Sequence, residues 1–96
     1  MKITKIETLI GTDPAIGNLV YVRTHTDAGI HGVGEVYHVG PDMASTMWVE
    51  YFAEQLVGQD PTEIERNWAL CYQGARFPIG SSGLAALSAI DVSLWD

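Results

Sequence analysis

Residues 88–96 read SAIDVSLWD, and the reading of the fold turns on them. In a helix that advances about 100° per residue, Leu84, Leu87, Asp91 and Trp95 share one face. Ala85, Ala86, Ala89 and Val92 occupy the other. A helix apolar on both sides is normally covered on both sides. The rest of the chain supplies elements to cover one side, so a helix over 82–96 is expected to lie between its own domain and further protein. Asp91 interrupts the apolar face. A carboxylate there is costly unless it is hydrogen-bonded. Asp91 is therefore expected to be a buried polar tie at that junction, accepting from backbone or an arginine, with Trp95 beside it.

Upstream lie two more helices. In QDPTEIERNWALCYQG, Asp60 is placed to cap, Pro61 suits the first helical position, and Glu63 stands where a capping box needs it. The spacing predicts a helix over 61–74 with Ile64, Trp68, Cys71 and Tyr72 as its apolar stripe. Another is predicted over 41–57, with Pro41 in its first turn and Gly58 as its stop. Its stripe is Ala44, Met47, Trp48 and Tyr51. The last helix has Ser81 or Ser82 as a cap.

The first third reads as strands over 2–10, 18–26 and 30–38. The alternation in KITKIETLI is imperfect. In NLVYVRTHT, Val20 and Val22 fall on one face and Leu19 and Tyr21 on the other. Asp27-Ala28-Gly29 is turn chemistry, joining strands two and three as a hairpin. Gly32 and Gly34 lie inside the third strand, where glycine marks a bulge or close approach of another backbone. Strands followed by helices give an α+β domain over 1–96, with helices on one face of a three-stranded antiparallel sheet.

Composition excludes several partners. Five basic residues stand against twelve acidic ones, a net charge of −7. The basic residues are scattered, so neither nucleic acid nor an anionic membrane is an expected partner. No apolar run approaches a membrane span, and the N-terminus lacks a signal-peptide pattern. A single cysteine, Cys71, allows no internal disulfide and fits a reducing, cytoplasmic setting. It lies on a helix stripe and reads as core. His25, His31 and His38 have no recognised metal-ligand spacing. They read as polar strand or loop residues, although His25 and His31 can approach across the hairpin. Glu35 reads as structural, paired with a donor within the domain.

The motifs TDAGIHGVGE, LVGQDPTEIERNWALCYQG and SAIDVSLWD, in this order and across nearly the whole chain, resemble the N-terminal capping domain of the enolase superfamily. The resemblance is to its mandelate racemase/muconate lactonizing enzyme branch, and there most to the sugar-acid dehydratases. Ala28 is a departure, an inserted-looking residue in the glycine pattern. The resemblance implies a TIM-like barrel after Asp96 that carries the Mg²⁺ ligands and the Lys or His acid/base groups. It implies proton abstraction beside a carboxylate. No catalytic residue or metal ligand is assigned within these residues. The cap would contribute substrate contacts: Ile16 in the loop 11–18, with Gly11 and Gly17 as hinges, and Tyr37 and His38 at the end of strand three. Arg76 is placed for the inter-domain surface. The implied partners are the barrel domain, a small carboxylate or sugar-acid substrate, and further copies in a homo-oligomer. Dehydration, racemisation and cycloisomerisation share this cap. A free-standing interaction domain is the alternative of a different class.

Overall fold

A computed structural model describes residues 1–13, 17–36, 42–74 and 80–96. Three strands, β1 (Ile3–Asp13), β2 (Gly17–Thr26) and β3 (His31–Val36), precede three helices, α1 (Asp42–Leu56), α2 (Ile64–Gly74) and α3 (Ser81–Trp95). The strands form one antiparallel sheet in the order β1-β2-β3. The helices pack on one face of it, as the α+β reading expects. The molecule is only 17 Å across its shortest dimension, the thickness of two layers.

The imperfect alternation of β1 has a physical cause. Its register against β2 shifts between Ile3 and Lys5, so one extra residue is inserted there. Ile3 and Ile6 consequently both face the core, where they are buried. Lys5 and Glu7 then point to the outer face. On β2, Val20, Val22 and Thr24 face inward and are buried. Leu19, Tyr21, Arg23 and His25 line the outer face and are half-buried. The β2–β3 turn closes with Gly29 at φ +82°, a conformation that L side chains rarely adopt. Thr26 reinforces it by donating from Oγ1 to the Ile30 carbonyl at 2.8 Å.

The glycines of β3 let α3 lie directly on the sheet. A Cβ at Gly34 would fall onto the Ala89 carbonyl oxygen, with Ala89 C at 2.9 Å and Ser93 N at 3.2 Å. One at Gly32 would fall onto the Ser93 carbonyl oxygen, with Ser93 C at 3.0 Å and Asp96 Cβ at 3.3 Å. The small residues Ala86 and Ala89 complete the fit from the helix side, both fully buried. Inside this contact Thr24 and Ser93 share a buried hydrogen bond of 2.8 Å. Ser93 donates its hydroxyl to the Ile90 carbonyl at 2.6 Å, so the shared proton comes from Thr24. Asp96 closes the arrangement by accepting from the Val33 N–H, 3.2 Å away on β3.

The helix stripes differ from those the spacing predicts. On α1 the buried residues are Val49, Phe52 and Leu56, whereas Met47 is 65 % exposed and Tyr51 is also exposed. The buried face is thus turned by about one residue, or 100°. Trp48 belongs to both stripes and packs at the margin of the core. On α2 the core-facing pair is Asn67 and Cys71, four residues apart. Trp68 and Tyr72 stack on the outer flank at 4.7 Å between ring centroids, both exposed.

The helix starts also differ. α2 begins at Ile64, not 61. Asp60 Oδ1 accepts from the backbone and hydroxyl of Thr62 at 2.9 and 2.7 Å, a tight turn before the helix. Those bonds hold the Asp60 carboxyl below the usual range. Glu63 pairs with Arg66 at 3.2 Å and does not close a capping box. α3 has Gly80 at its N-cap, with no side-chain cap bond, and starts at Ser81. Gly58 does stop α1, at φ +94°, and its N–H is 2.8 Å from the Ile3 carbonyl. Pro41 lies outside the described residues.

Cys71 is fully buried and free. Burial pushes its thiol up to about 12, so almost no thiolate exists at neutral pH. A disulfide exchange reagent is therefore expected to leave the folded chain unmodified and to titrate one thiol once urea has unfolded it. Rapid labelling without denaturant would contradict the core placement.

Candidate functional site

Two regions of the fold carry the residues singled out by the sequence. The first is one end of the sheet. β1 and β2 remain paired out to Asp13 opposite Gly17, whereas β3 ends at Val36 opposite Val20. The first hairpin therefore projects past β3 by three residues of β2. The contacts of Gly34 with Ala89 and of Gly32 with Ser93 show that α3 runs opposite to β3. Its N-terminus at Gly80 and Ser81 thus lies toward the same end. Ile16, Tyr37, His38 and Arg76 are themselves outside the described residues. The described residues that flank them, Asp13, Gly17, Val36 and Gly80, share this end.

Gly11 and Gly17 do not fit the hinge reading. Gly11 pairs with Leu19 inside the ladder, and Gly17 with Asp13 at its last rung. Both strands are regular there, so the loop is shorter than residues 11–18. Glu35 is exposed opposite Tyr21. Its side chain has no hydrogen-bond or ion-pair partner among the described residues, so the expected pairing is made with none of them.

The second region is the outward side of α3. Leu84 is 43 %, Val92 50 % and Trp95 71 % exposed. With Ser88 they form one line along the helix at intervals of three to four residues. Leu87 was expected to share a face with Trp95, but it is buried with Ile90 against α1 and α2. Val92 was expected among the small residues and instead faces outward. Close packing on β3 selects Ala86, Ala89 and Ser93 as the inner line, which leaves the bulkier residues outside.

Asp91 sits at the boundary. It lines a narrow crevice with Leu56, Asn67, Trp68, Leu87, Ile90 and Leu94. Burial among these raises its carboxyl above the ordinary range. Asp91 has no side-chain hydrogen-bond partner among the described residues, so the expected polar tie is made with none of them. Asn67 has a related deficit. Its Nδ2 donates to the Asp60 carbonyl at 2.8 Å, but its Oδ1 is buried without a partner. Sequence periodicity passed over Asn67 because a polar residue carries no weight in an apolar stripe. A cavity of roughly 540 Å³ opens at the C-terminal end of α3, lined in part by Thr24, His31, Pro61, Ser93, Trp95 and Asp96.

Among the described residues, no three His, Cys, Asp or Glu side chains are grouped to hold a metal ion. No helix there is long and apolar enough to cross a membrane.

Residues 6–96 match the family description "Mandelate racemase / muconate lactonizing enzyme, N-terminal domain". The D-galactonate dehydratase family member RspA of Cellvibrio japonicus is 40 % identical over 80 residues, covering 82 % of this chain and 20 % of the relative. An enolase from Agrobacterium radiobacter, crystallised with sodium and L-malate, superposes with a TM-score of 0.91 at 42 % identity. The match covers all of this chain and 24 % of that one. An enolase from Pantoea ananatis with bound D-gluconate and magnesium gives a TM-score of 0.86 at 31 % identity, covering 98 % of this chain and 23 % of that one. The chain thus spans about a fifth to a quarter of the length of these proteins.

Proposed function

The chain belongs to the N-terminal domain family of mandelate racemases and muconate lactonizing enzymes, and from that membership we propose that it is the substrate-capping domain of an enolase-superfamily sugar-acid dehydratase. The observation that carries this reading is the line of exposed Leu84, Val92 and Trp95 on α3, in a chain that spans about a fifth to a quarter of the relatives named above. An apolar line of this kind is what a second domain would cover. The D-galactonate dehydratase name of one relative and the D-gluconate bound to another favour an acid sugar as substrate.

In this reading the C-terminal domain removes the proton beside the substrate carboxylate. Loss of the neighbouring hydroxyl as water then leaves an enol that becomes a 2-keto acid. Bound Mg²⁺ would stabilise the enediolate character of that intermediate. The described residues do not fit a Mg²⁺ site, so the ion would be held elsewhere in the full-length protein. The work of this chain is to close the site, exclude water and shape specificity. Ile16, Tyr37 and His38 would approach the substrate from the loop end of the sheet, and Asp91 and Trp95 would meet the second domain. A cytoplasmic homo-oligomer is the expected form.

The direct test is to incubate the full-length protein with Mg²⁺ and D-galactonate, D-mannonate or D-gluconate, and to assay 2-keto acid formation. Exchange of the α-proton with deuterated solvent, without keto acid, would point to racemisation. Absence of both would remove the enzyme reading.

Asp91 supplies a test of the interface with opposite signs. An acid with a raised folded-state pKa binds its proton more tightly folded than unfolded. Stability therefore falls as pH rises through the carboxylate range and recovers on acidification. Asp91→Asn is expected to raise the melting temperature of the 96-residue chain at pH 7 and to leave it unchanged at pH 3. In the full-length protein, where a donor from the second domain would meet Asp91, the same change is expected to lower it. A gain in both proteins would show that Asp91 makes no tie across the interface.

A further inference from the structure

The outer face of the sheet carries a group of side chains that the capping role does not use. His25 and His31 stand directly opposite each other in the β2–β3 ladder. Their ring centroids are 5.8 Å apart. Zinc–imidazole bonds of about 2.0–2.1 Å and a tetrahedral angle place two rings on one ion at roughly this separation. From β1, Glu7 Oε1 lies 2.6 Å from His25 Nε2. With Nε2–H donating to Glu7, the lone pair of His25 is on Nδ1. A carboxylate that holds the far nitrogen of a metal-binding histidine is a recurrent arrangement in metal sites, because it fixes the tautomer and strengthens the ligand.

We propose that His25 and His31 form a binding site for an imidazole-preferring divalent cation of the zinc, nickel or copper class. Glu7 orients His25, and water completes the coordination. The neighbouring charges limit the site in a specific way. Lys5 Nζ is 3.3 Å and Arg23 3.7 Å from the Glu7 carboxylate, and His25 heads the causes that hold that carboxyl low. Glu7 is thus already compensated and acts through its hydrogen bond more than through its charge. Two neutral nitrogens without a free carboxylate disfavour Mg²⁺ and Ca²⁺, which require oxygen ligands. The site does not depend on the function of the remainder of the enzyme.

Calorimetric titration of Zn²⁺ and Ni²⁺ into the chain at pH 7.5 tests it. One-to-one binding is expected, with at least tenfold weaker affinity in His25→Asn and in His31→Asn. Glu7→Gln is expected to weaken binding by about tenfold or more, since a partner that orients a ligand is lost. Affinity should fall on acidification because protons compete for the same nitrogens, and Mg²⁺ should give no saturable heat. Circular dichroism checks that each variant is folded. Since both histidines lie on the outer face, a nitrogen-15 spectrum of the imidazoles in the unmodified chain gives a second readout, with His25 Nδ1 shifting on metal addition. Absence of saturable binding would overturn the proposal. So would binding that survives both histidine substitutions, or that disappears in His38→Asn or Cys71→Ser instead.

Discussion

Replacing Gly34 with alanine is expected to destabilise the fold by about 3 kcal/mol or more, at or beyond the upper end of ordinary overpacking. The added methyl group would meet the Ala89 carbonyl oxygen, with the Ala89 carbon and Ser93 nitrogen behind it at 2.9 and 3.2 Å. These are backbone atoms in the middle of α3 and cannot swing aside as a side-chain end would. Relief requires the whole helix to lift from β3, which would open the buried Thr24–Ser93 hydrogen bond. A domain of this size holds roughly 5–14 kcal/mol of stability in total, at about 0.05–0.15 kcal/mol per residue. The loss is therefore a large part of what keeps it folded. Gly11→Ala is the control. No atom lies within 4 Å of a Cβ there, and the smaller freedom of the unfolded chain favours alanine by up to about 1 kcal/mol. Urea midpoints of the two variants measure the contrast. Equal midpoints would mean that α3 does not rest directly on β3 at Gly34.

The reason for Gly34 was legible in the sequence, because glycine inside a strand has few physical explanations and close backbone approach is one of them. The order of elements and the α+β class followed from periodicity and turn chemistry in the same way. Positions on the helix circumference did not. α1 and α3 are apolar on more than one side, so several stripes satisfy the spacing, and only the sheet they meet selects among them. The inward line on α3 was set by β3 through Gly32 and Gly34, which a helix-only reading ignores. Asp60 shows a local version of the limit. Aspartate before proline suits a cap, but it suits a tight turn equally well, and Thr62 offers its carboxylate two donors. For the candidate site the sequence marked α3 as apolar on two sides and Asp91 as unusual, but not which line of α3 faces outward. It could not place Asn67 and Asp91 on one crevice or pair His25 with Glu7, since each pair joins separate elements.

Phe52→Ala is expected to cost about 3–5 kcal/mol, the range for truncating a buried phenylalanine. Phe52 is fully buried on α1, with Trp48 stacked at 5.4 Å and Tyr51 edge-on at 5.8 Å between ring centroids. It belongs to the core cluster built from the sheet and all three helices, so the cavity left by truncation would lie where the layers meet. Met47→Ala is the informative partner substitution. The sequence stripe places Met47 at the centre of the buried face, whereas the fold leaves it 65 % exposed. A surface substitution of that kind is expected to change stability by no more than about 0.5 kcal/mol. The two variants thus read the rotation of α1 directly, by urea denaturation followed through tryptophan fluorescence. A large loss in Met47→Ala with a small one in Phe52→Ala would return α1 to the orientation of the stripe. The expected result would instead fix α1 by Phe52, leaving Met47 and Tyr51 on the outward surface of the domain.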